Sequence, residues 1–162
     1  GHPMGDRVLQ EFVACCQDAL RNDGLLARTG GEEFCILLPG TDLDTARHIA
    51  ERIREQTQAR RIAVPAQELR ISASFGVAGL CDTDERFETL YSRADLALYA
   101  AKQQGRNRTS LLRSPAQEGV LATPVADSPR FGARRRRSSS TSMPRRAAMS
   151  CTWSSPIWPT TK

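Results

Sequence analysis

Long hydrophobic runs are missing from this 162-residue sequence, which nowhere approaches the roughly 18 consecutive apolar residues of a membrane-spanning helix. It also has no N-terminal basic and apolar segment of the kind that directs secretion. It has only two histidines and no Cys-x-x-C pair, so we expect no metal site built on nitrogen and sulfur ligands. We interpret the five cysteines as small buried residues of a reduced, cytoplasmic protein: Cys15, Cys16, Cys35, Cys81 and Cys151. The sequence leaves open whether the parent protein is anchored in a membrane.

A basic excess is also missing from the first two thirds of the chain. Residues 1–112 carry 14 Lys and Arg against 16 Asp and Glu, whereas residues 113–162 carry 9 against 2. Nucleic-acid-binding proteins usually cluster their basic residues on a folded face. The sequence therefore predicts no specific nucleic-acid partner, and the alternative depends on the arginine run 134–137 of the tail alone.

The composition of the chain changes near Leu112. Before this point, periodic apolar segments alternate with turn residues, and after it Ser, Pro, Arg and Thr dominate. Such a composition buries too little surface to offset the entropy of the chain. We therefore predict a folded domain over 1–112 and a disordered basic tail over 113–162. A shifted reading frame is a second explanation of the tail.

The apolar periodicity of residues 1–112 predicts an α/β domain. A helix is expected over 6–21, ended by Gly24, and a second helix opens at Thr41 as its N-cap. A third helix is expected over 87–104, with Gly105 just beyond its end. The strands are expected over 25–29, 34–38, 70–80 and 109–112, the first two as a β-hairpin.

Two glycines and two glutamates form the turn of this hairpin: Gly30, Gly31, Glu32 and Glu33. Glycine lets the backbone approach a ligand closely and adopt positive φ angles. Two neighbouring carboxylates suit a hard divalent cation that carries a phosphate. Taken alone, the turn is equally well interpreted as a solvated acidic tip.

The turn is one of five motifs, which follow one another as Gly1-His2-Pro3-Met4-Gly5-Asp6, Arg28-Thr29-Gly30-Gly31-Glu32-Glu33-Phe34, Ser74-Phe75-Gly76-Val77-Ala78, Ala94-Asp95 with Leu98-Tyr99-Ala100-Ala101-Lys102, and Gly105-Arg106-Asn107-Arg108. Together they resemble the GGDEF domain of bacterial diguanylate cyclases, in its Glu-Glu variant. The resemblance covers about 1–112 and implies a nucleotidyl-cyclase-like sheet, a ferredoxin-like palm flanked by helices.

The resemblance implies an enzyme that condenses two GTP to cyclic di-GMP with release of pyrophosphate. It further implies Mg²⁺ or Mn²⁺, a homodimer in which each domain holds one GTP, and an upstream sensory domain in the parent protein. Glu32 matches a metal-binding carboxylate that helps deprotonate the attacking 3′-hydroxyl. Glu33 matches a neighbour that supports the metal site.

Five further positions match residues that hold the substrate. Asp6 matches a residue that reads the guanine edge, and Gly30 and Gly31 would line the phosphates with backbone N–H groups. Lys102 and Arg106, four apart and expected on one helix face, match residues that hold the triphosphate. Complementing the dipole of the helix is the alternative role of these two cations. Three other motif positions are expected to be structural: Asp95, Tyr99 and Asn107.

One departure from the family concerns the start of the chain. The family's first strand, with a metal-binding Asp and a guanine-reading Asn after it, precedes the motif that opens here at Gly1. Half of the metal site would then be missing, and two strand edges in the centre of the sheet would be unpaired. We therefore expect poor GTP binding and slow turnover. The alternative function is a non-catalytic GGDEF-like module that binds nucleotide or a regulatory partner.

A second departure predicts that no tight site for the product exists. Family members with product inhibition carry Arg-x-x-Asp ending six residues before the first glycine of the turn, and here Gly24 occupies the Asp position while Asp23 is one residue early. A one-residue shift at a helix end turns a side chain by roughly 100°. Calorimetric binding of cyclic di-GMP at this surface with a Kd near or below about 1 μM would contradict the prediction.

Overall fold

A computed structural model describes residues 2–21, 24–64, 67–81, 84, 86–113 and 147–154. These residues form a mixed α/β structure, as the sequence predicts. The elements in chain order are α1 (His2–Leu20), β1 (Leu25–Gly30), β2 (Glu33–Leu38), α2 (Leu43–Ala59), β3 (Arg61–Val64), β4 (Gln67–Arg70), β5 (Ser72–Gly79), α3 (Phe87–Gln103), β6 (Thr109–Leu112) and β7 (Ala147–Ser154).

The first helix differs from its prediction at both ends. α1 begins at His2, and after Leu20 the left-handed conformation that ends it belongs to Arg21, whose φ is 54°. Gly24, the predicted terminator, has another role: a Cβ atom there would lie 2.8 Å from Leu20 Cδ2 and 3.0 Å from Leu38 Cδ2. An aspartate at position 24 would therefore meet apolar side chains. Asp23 lies outside the described residues.

The second helix is capped one residue later than predicted. The carboxylate of Asp42, and not the hydroxyl of Thr41, accepts hydrogen bonds from the backbone N–H and the hydroxyl of Thr45, both at 2.9 Å. The backbone bond from Thr45 comes first among the interactions that lower the pKa of Asp42. A carboxylate also complements the positive end of the helix dipole, which favours Asp over Thr at this position.

Five strands form the main sheet, in the order β1-β2-β7-β5-β6. β7 is antiparallel to both of its neighbours, β1 is antiparallel to β2, and β6 is parallel to β5. The strand predicted over 70–80 is divided at Ile71, because β3 and β4 form a separate hairpin that the sequence analysis missed.

The central strand β7 comes from the segment predicted to be disordered. Residues 147–152 pair with the whole of β2, and residues 147–154 pair with the whole of β5. The prediction of disorder is therefore wrong for β7, and so is the expectation of two unpaired edges in the centre of the sheet. The segment contains no charged residue, proline or glycine, so its backbone can pair on both sides. The remaining tail, 114–146 and 155–162, lies outside the described residues.

Helices cover both faces of the sheet. Alternate residues of β5, among them Phe75 and Val77, join the core formed with α1 and α2. Ala78 packs instead with Leu90 and Ala94 of α3. The described helices include none that is long and apolar enough to cross a membrane.

Four of the cysteines are free thiols: Cys15, Cys16 and Cys35, which are buried as expected, and Cys81, which is partly exposed and so differs from the expectation. Burial raises the pKa of Cys16, with a further contribution from neighbouring Cys15, and burial also raises the pKa of Cys35. The thiolate is the reactive form, so burial disfavours reaction of these two thiols.

Gly76 is a point of close approach between β5 and α3. A Cβ atom on Gly76 would lie 2.1 Å from the Ala94 carbonyl oxygen and 2.2 Å from the Leu98 nitrogen. Both are backbone atoms, so the helix as a whole would have to move. Only glycine permits this packing distance.

We predict that Gly76→Ala lowers the free energy of unfolding by about 3 kcal/mol, since overpacking against backbone cannot be relieved by a rotamer change. Urea unfolding followed by circular dichroism measures the effect. Gly31→Ala is the matched control, because nothing lies within 4 Å of a Cβ at Gly31. Equal effects of the two substitutions would contradict the packing argument.

A buried ion pair holds the chain between β5 and α3. The carboxylate of Asp84 is 1% exposed and accepts two hydrogen bonds from Arg93, each of 2.5 Å, and one from the Cys81 N–H at 2.7 Å. Arg93 also donates to the Gly79 carbonyl at 2.7 Å. The hydrogen bonds from Arg93 are the main cause of the lowered pKa of Asp84.

We predict that Asp84→Asn destabilises the fold by about 2–3 kcal/mol at pH 7, because Arg93 loses its charged partner. The pKa of Asp84 is lowered in the folded state, so its contribution is present above the unfolded value of about 3.9 and is lost as the pH falls through the folded value. Thermal unfolding of both proteins between pH 7 and pH 3 should show a difference that shrinks in acid. The control Glu88→Gln removes an exposed pair with Arg86 (3.7 Å) and should change little.

Candidate functional site

The tip of the β1–β2 hairpin is held by an arginine within it. Gly30 pairs with Glu33, and the ladder is irregular between Arg28 and Gly30. The Arg28 guanidinium donates to the Gly31 carbonyl from Nε at 3.0 Å and from Nη2 at 2.6 Å. No role was predicted for Arg28, although its place two residues before the glycines could have signalled one.

The two glycines of the turn leave open space. Neither Gly30 nor Gly31 has a positive φ, so the expectation of left-handed backbone at these positions is wrong. A Cβ on Gly31 would meet nothing within 4 Å, and one on Gly30 would meet only Glu33 Oε2 at 3.6 Å. Because neither glycine has a side chain, space is left for a ligand beside the backbone N–H groups of the turn.

An ion pair joins the hairpin tip to the end of α3. Glu33 Oε1 lies 3.7 Å from Lys102 Nζ, and the two side chains are 48% and 33% exposed. Glu32, in the turn, is exposed. The structure thus brings together the glycines, the two glutamates and Lys102, which the sequence analysis assigned to one site.

Arg106 lies in a left-handed turn beyond α3. The helix ends at Gln103, and φ is 110° at Gly105, 60° at Arg106 and 45° at Asn107. The prediction that Lys102 and Arg106 share a helix face is therefore wrong, although both stay at the same end of α3. The Arg106 side chain is exposed.

Asn107 fixes this turn to the rest of the domain. Its backbone N–H donates to Ser74 Oγ at 3.0 Å, and its Oδ1 accepts from Arg54 Nη1 at 3.2 Å. The Arg108 carbonyl next accepts from the Phe75 N–H at 2.9 Å. These contacts stabilise the left-handed conformations, which cost energy in residues other than glycine. Both contacts of Asn107 are with residues of the fold, which agrees with the structural role predicted for it.

Asp6 lies in a cleft between α1 and the hairpin. The cleft has a volume of about 590 Å³, within the range of small-molecule sites. Its polar lining includes Asp6, Gln10 and Arg28, and its apolar lining includes Leu26 and Phe34. Arg28 therefore belongs both to this cleft and to the hairpin tip. The arrangement can accept a flat polar group beside the glycine turn.

The carboxylates of the site do not by themselves form a metal centre. Within the described part of the chain, no three His, Cys, Asp or Glu residues lie close enough together to hold a metal ion. Glu33 is already paired with Lys102. Opposite Glu33 on the central strand lies Thr152, and β7 contains no carboxylate. The described residues therefore do not fit a cation held by the protein alone.

Comparison with known proteins identifies related sequences. The family model described as diguanylate cyclase, GGDEF domain, matches residues 1–108. Diguanylate cyclase A of Treponema denticola is 37% identical over 114 residues, which cover 70% of this chain and 31% of that protein. Diguanylate cyclase DgcP of Pseudomonas aeruginosa is 39% identical over 108 residues, which cover 67% and 16%. The chain thus spans less than a third of either relative.

Solved structures share the fold. The active GGEEF domain of a diguanylate cyclase from Vibrio cholerae is 37% identical with a TM-score of 0.66, covering 70% of this chain and 72% of that one. The GGDEF domain of DgcB from Caulobacter crescentus, in complex with c-di-GMP, is 30% identical with a TM-score of 0.64, covering 68% and 66%. The diguanylate cyclase SiaD from Pseudomonas aeruginosa, in complex with its activator SiaC, is 38% identical with a TM-score of 0.65, covering 69% and 43%.

Proposed function

The chain belongs to the GGDEF domain family of diguanylate cyclases, and from this premise we propose that it binds GTP at the hairpin tip as the nucleotide-binding domain of a diguanylate cyclase. The observation that carries the proposal is the contact between Glu33 and Lys102, 3.7 Å apart. This contact brings the glycine turn next to the ammonium group of Lys102, in the last turn of α3. A triphosphate needs both backbone donors and cations.

In this proposal the phosphates and the guanine base of GTP bind in two neighbouring parts of the site. The phosphates would lie against the N–H groups of Gly30 and Gly31, with Lys102 and Arg106 neutralising their charge. The guanine base would occupy the cleft, where the Asp6 carboxylate can accept hydrogen bonds from its N1–H and N2–H groups. Arg28, which lines the cleft and holds the Gly31 carbonyl, connects the two places.

The proposed reaction joins two such domains in a homodimer. The 3′-hydroxyl of each GTP attacks the α-phosphate of the other, so that two phosphodiester bonds form and two pyrophosphates leave. Glu32, exposed at the turn, is the group that would accept the proton of the attacking hydroxyl. Because the described residues do not fit a cation held by the protein, we assign no step to Mg²⁺ or Mn²⁺.

One observation favours a second candidate function, that of a non-catalytic nucleotide-binding module. The central strand contributes no carboxylate opposite Glu33, so the site offers fewer acidic ligands for the metal ions that assist phosphoryl transfer. Such a module would bind GTP and regulate a partner without turnover. Measuring pyrophosphate release together with GTP binding separates the two functions.

We predict that Lys102→Ala weakens GTP binding about tenfold, because it removes a charge-assisted contact to phosphate and leaves the Glu33 carboxylate unneutralised beside it. Titration calorimetry with the full chain measures the change.

Arg61→Ala is the matched control for charge. Arg61 pairs with Glu68 at 2.9 Å on the separate β3–β4 hairpin and should leave GTP affinity unchanged. If both variants bind GTP as tightly as the unmodified chain, the phosphate site does not lie at the end of α3. Turnover that persists in Glu32→Gln would reject the assigned proton acceptor.

A further inference from the structure

The register of β7 places one residue of the C-terminal tail next to the candidate site. Thr152 pairs with Glu33 of β2 on one side and with Ser74 of β5 on the other. Glu33 is the first residue of β2, so Thr152 is the position of β7 that lies opposite the hairpin tip. Through β7, the C-terminal tail thus contributes a residue next to the hairpin tip.

The charge at the hairpin tip comes from Glu32, Glu33, Lys102 and Arg28, whose guanidinium is held by the Gly31 carbonyl. Glu33 is paired with Lys102, and Glu32 lies one residue away in the turn. The strand that completes this end of the sheet contributes no acid, because Ala147–Ser154 contains neither Asp nor Glu. The cation that balances Glu33 in this structure is therefore an ammonium group of the protein.

We propose that position 152 of β7 determines whether the hairpin tip binds a divalent cation, and that Thr152 keeps this tip free of one. The inference rests on the proposed function only in placing the site at the hairpin tip. It makes the C-terminal strand a determinant of the chemistry of the site as well as a part of the sheet.

The geometry of an antiparallel ladder gives the physical reason. Residues directly opposite each other share a face of the sheet, with Cβ atoms about 4.5–5.5 Å apart. A carboxylate at position 152 would therefore add oxygen ligands on the face of Glu33, within the spacing that one cation can bridge. A shift of one residue would place it on the other face.

The test is a Mn²⁺ titration of the full chain, with free Mn²⁺ measured by electron paramagnetic resonance. We expect Thr152→Asp to lower the Kd for Mn²⁺ at least about tenfold relative to the unmodified chain, because a third carboxylate joins Glu32 and Glu33. The near-isosteric Thr152→Asn should bind as weakly as the unmodified chain. Adding Glu33→Gln to Thr152→Asp should abolish the gain.

Amide hydrogen exchange makes the result interpretable. In the unmodified chain and in Thr152→Asp, the amides of 147–154 should be protected as strongly as those of β5. The proposal is overturned if Thr152→Asp gains no Mn²⁺ affinity while β7 stays protected, if the gain survives Glu33→Gln, or if the amides of 147–154 exchange in the unmodified chain as fast as those of unstructured peptide. Failure to bind GTP in every variant would instead count against the proposed function alone.

Discussion

The need to pair the backbone of two buried strands governs this domain. β2 and β5 both contribute buried residues to the core, but they are not hydrogen-bonded to each other in the sheet. A buried N–H or C=O group without a partner costs about 1–3 kcal/mol, so a gap between these strands would be more costly than any side-chain contact here could offset. β7 fills the gap and pairs along the whole of both neighbours. The packing of the core and the helices, and the position of the site, depend on this uninterrupted pairing.

The candidate site depends on the same continuity because its parts belong to opposite sides of β7. The glycine turn and its glutamates are carried by the hairpin on one side, whereas α3 and the turn that holds Arg106 pack against β5 on the other. The ion pair between Glu33 and Lys102 spans the two sides. The distance between these two side chains therefore depends on the correct pairing of β2, β7 and β5.

Sequence patterns predicted most elements of the fold, and the structure brings several of the residues assigned to the site together at the hairpin tip. Period and turn residues located α3, the hairpin and β6, because local chemistry determines these elements. The end of α1 and the cap of α2 were misplaced, since Arg21 and Asp42 perform functions that their neighbours could equally perform. Arg28 was missed because its role depends on a contact with the Gly31 carbonyl. β7 was missed because it is an uncharged eight-residue segment inside a basic, serine-rich tail. Its strand conformation depends on pairing with β2 and β5, which are distant in sequence.

The chain order of the strands has a consequence for how this domain is made. β7 is synthesised after every other described element, yet it lies in the middle of the sheet. While the chain leaves the ribosome, β2 and β5 each wait with one open edge, and contacts of such long sequence separation close slowly. The nascent domain is therefore exposed to pairing with foreign strands and to chaperone capture until β7 emerges. The gap between β2 and β5 cannot close before residues 147–154 have been made.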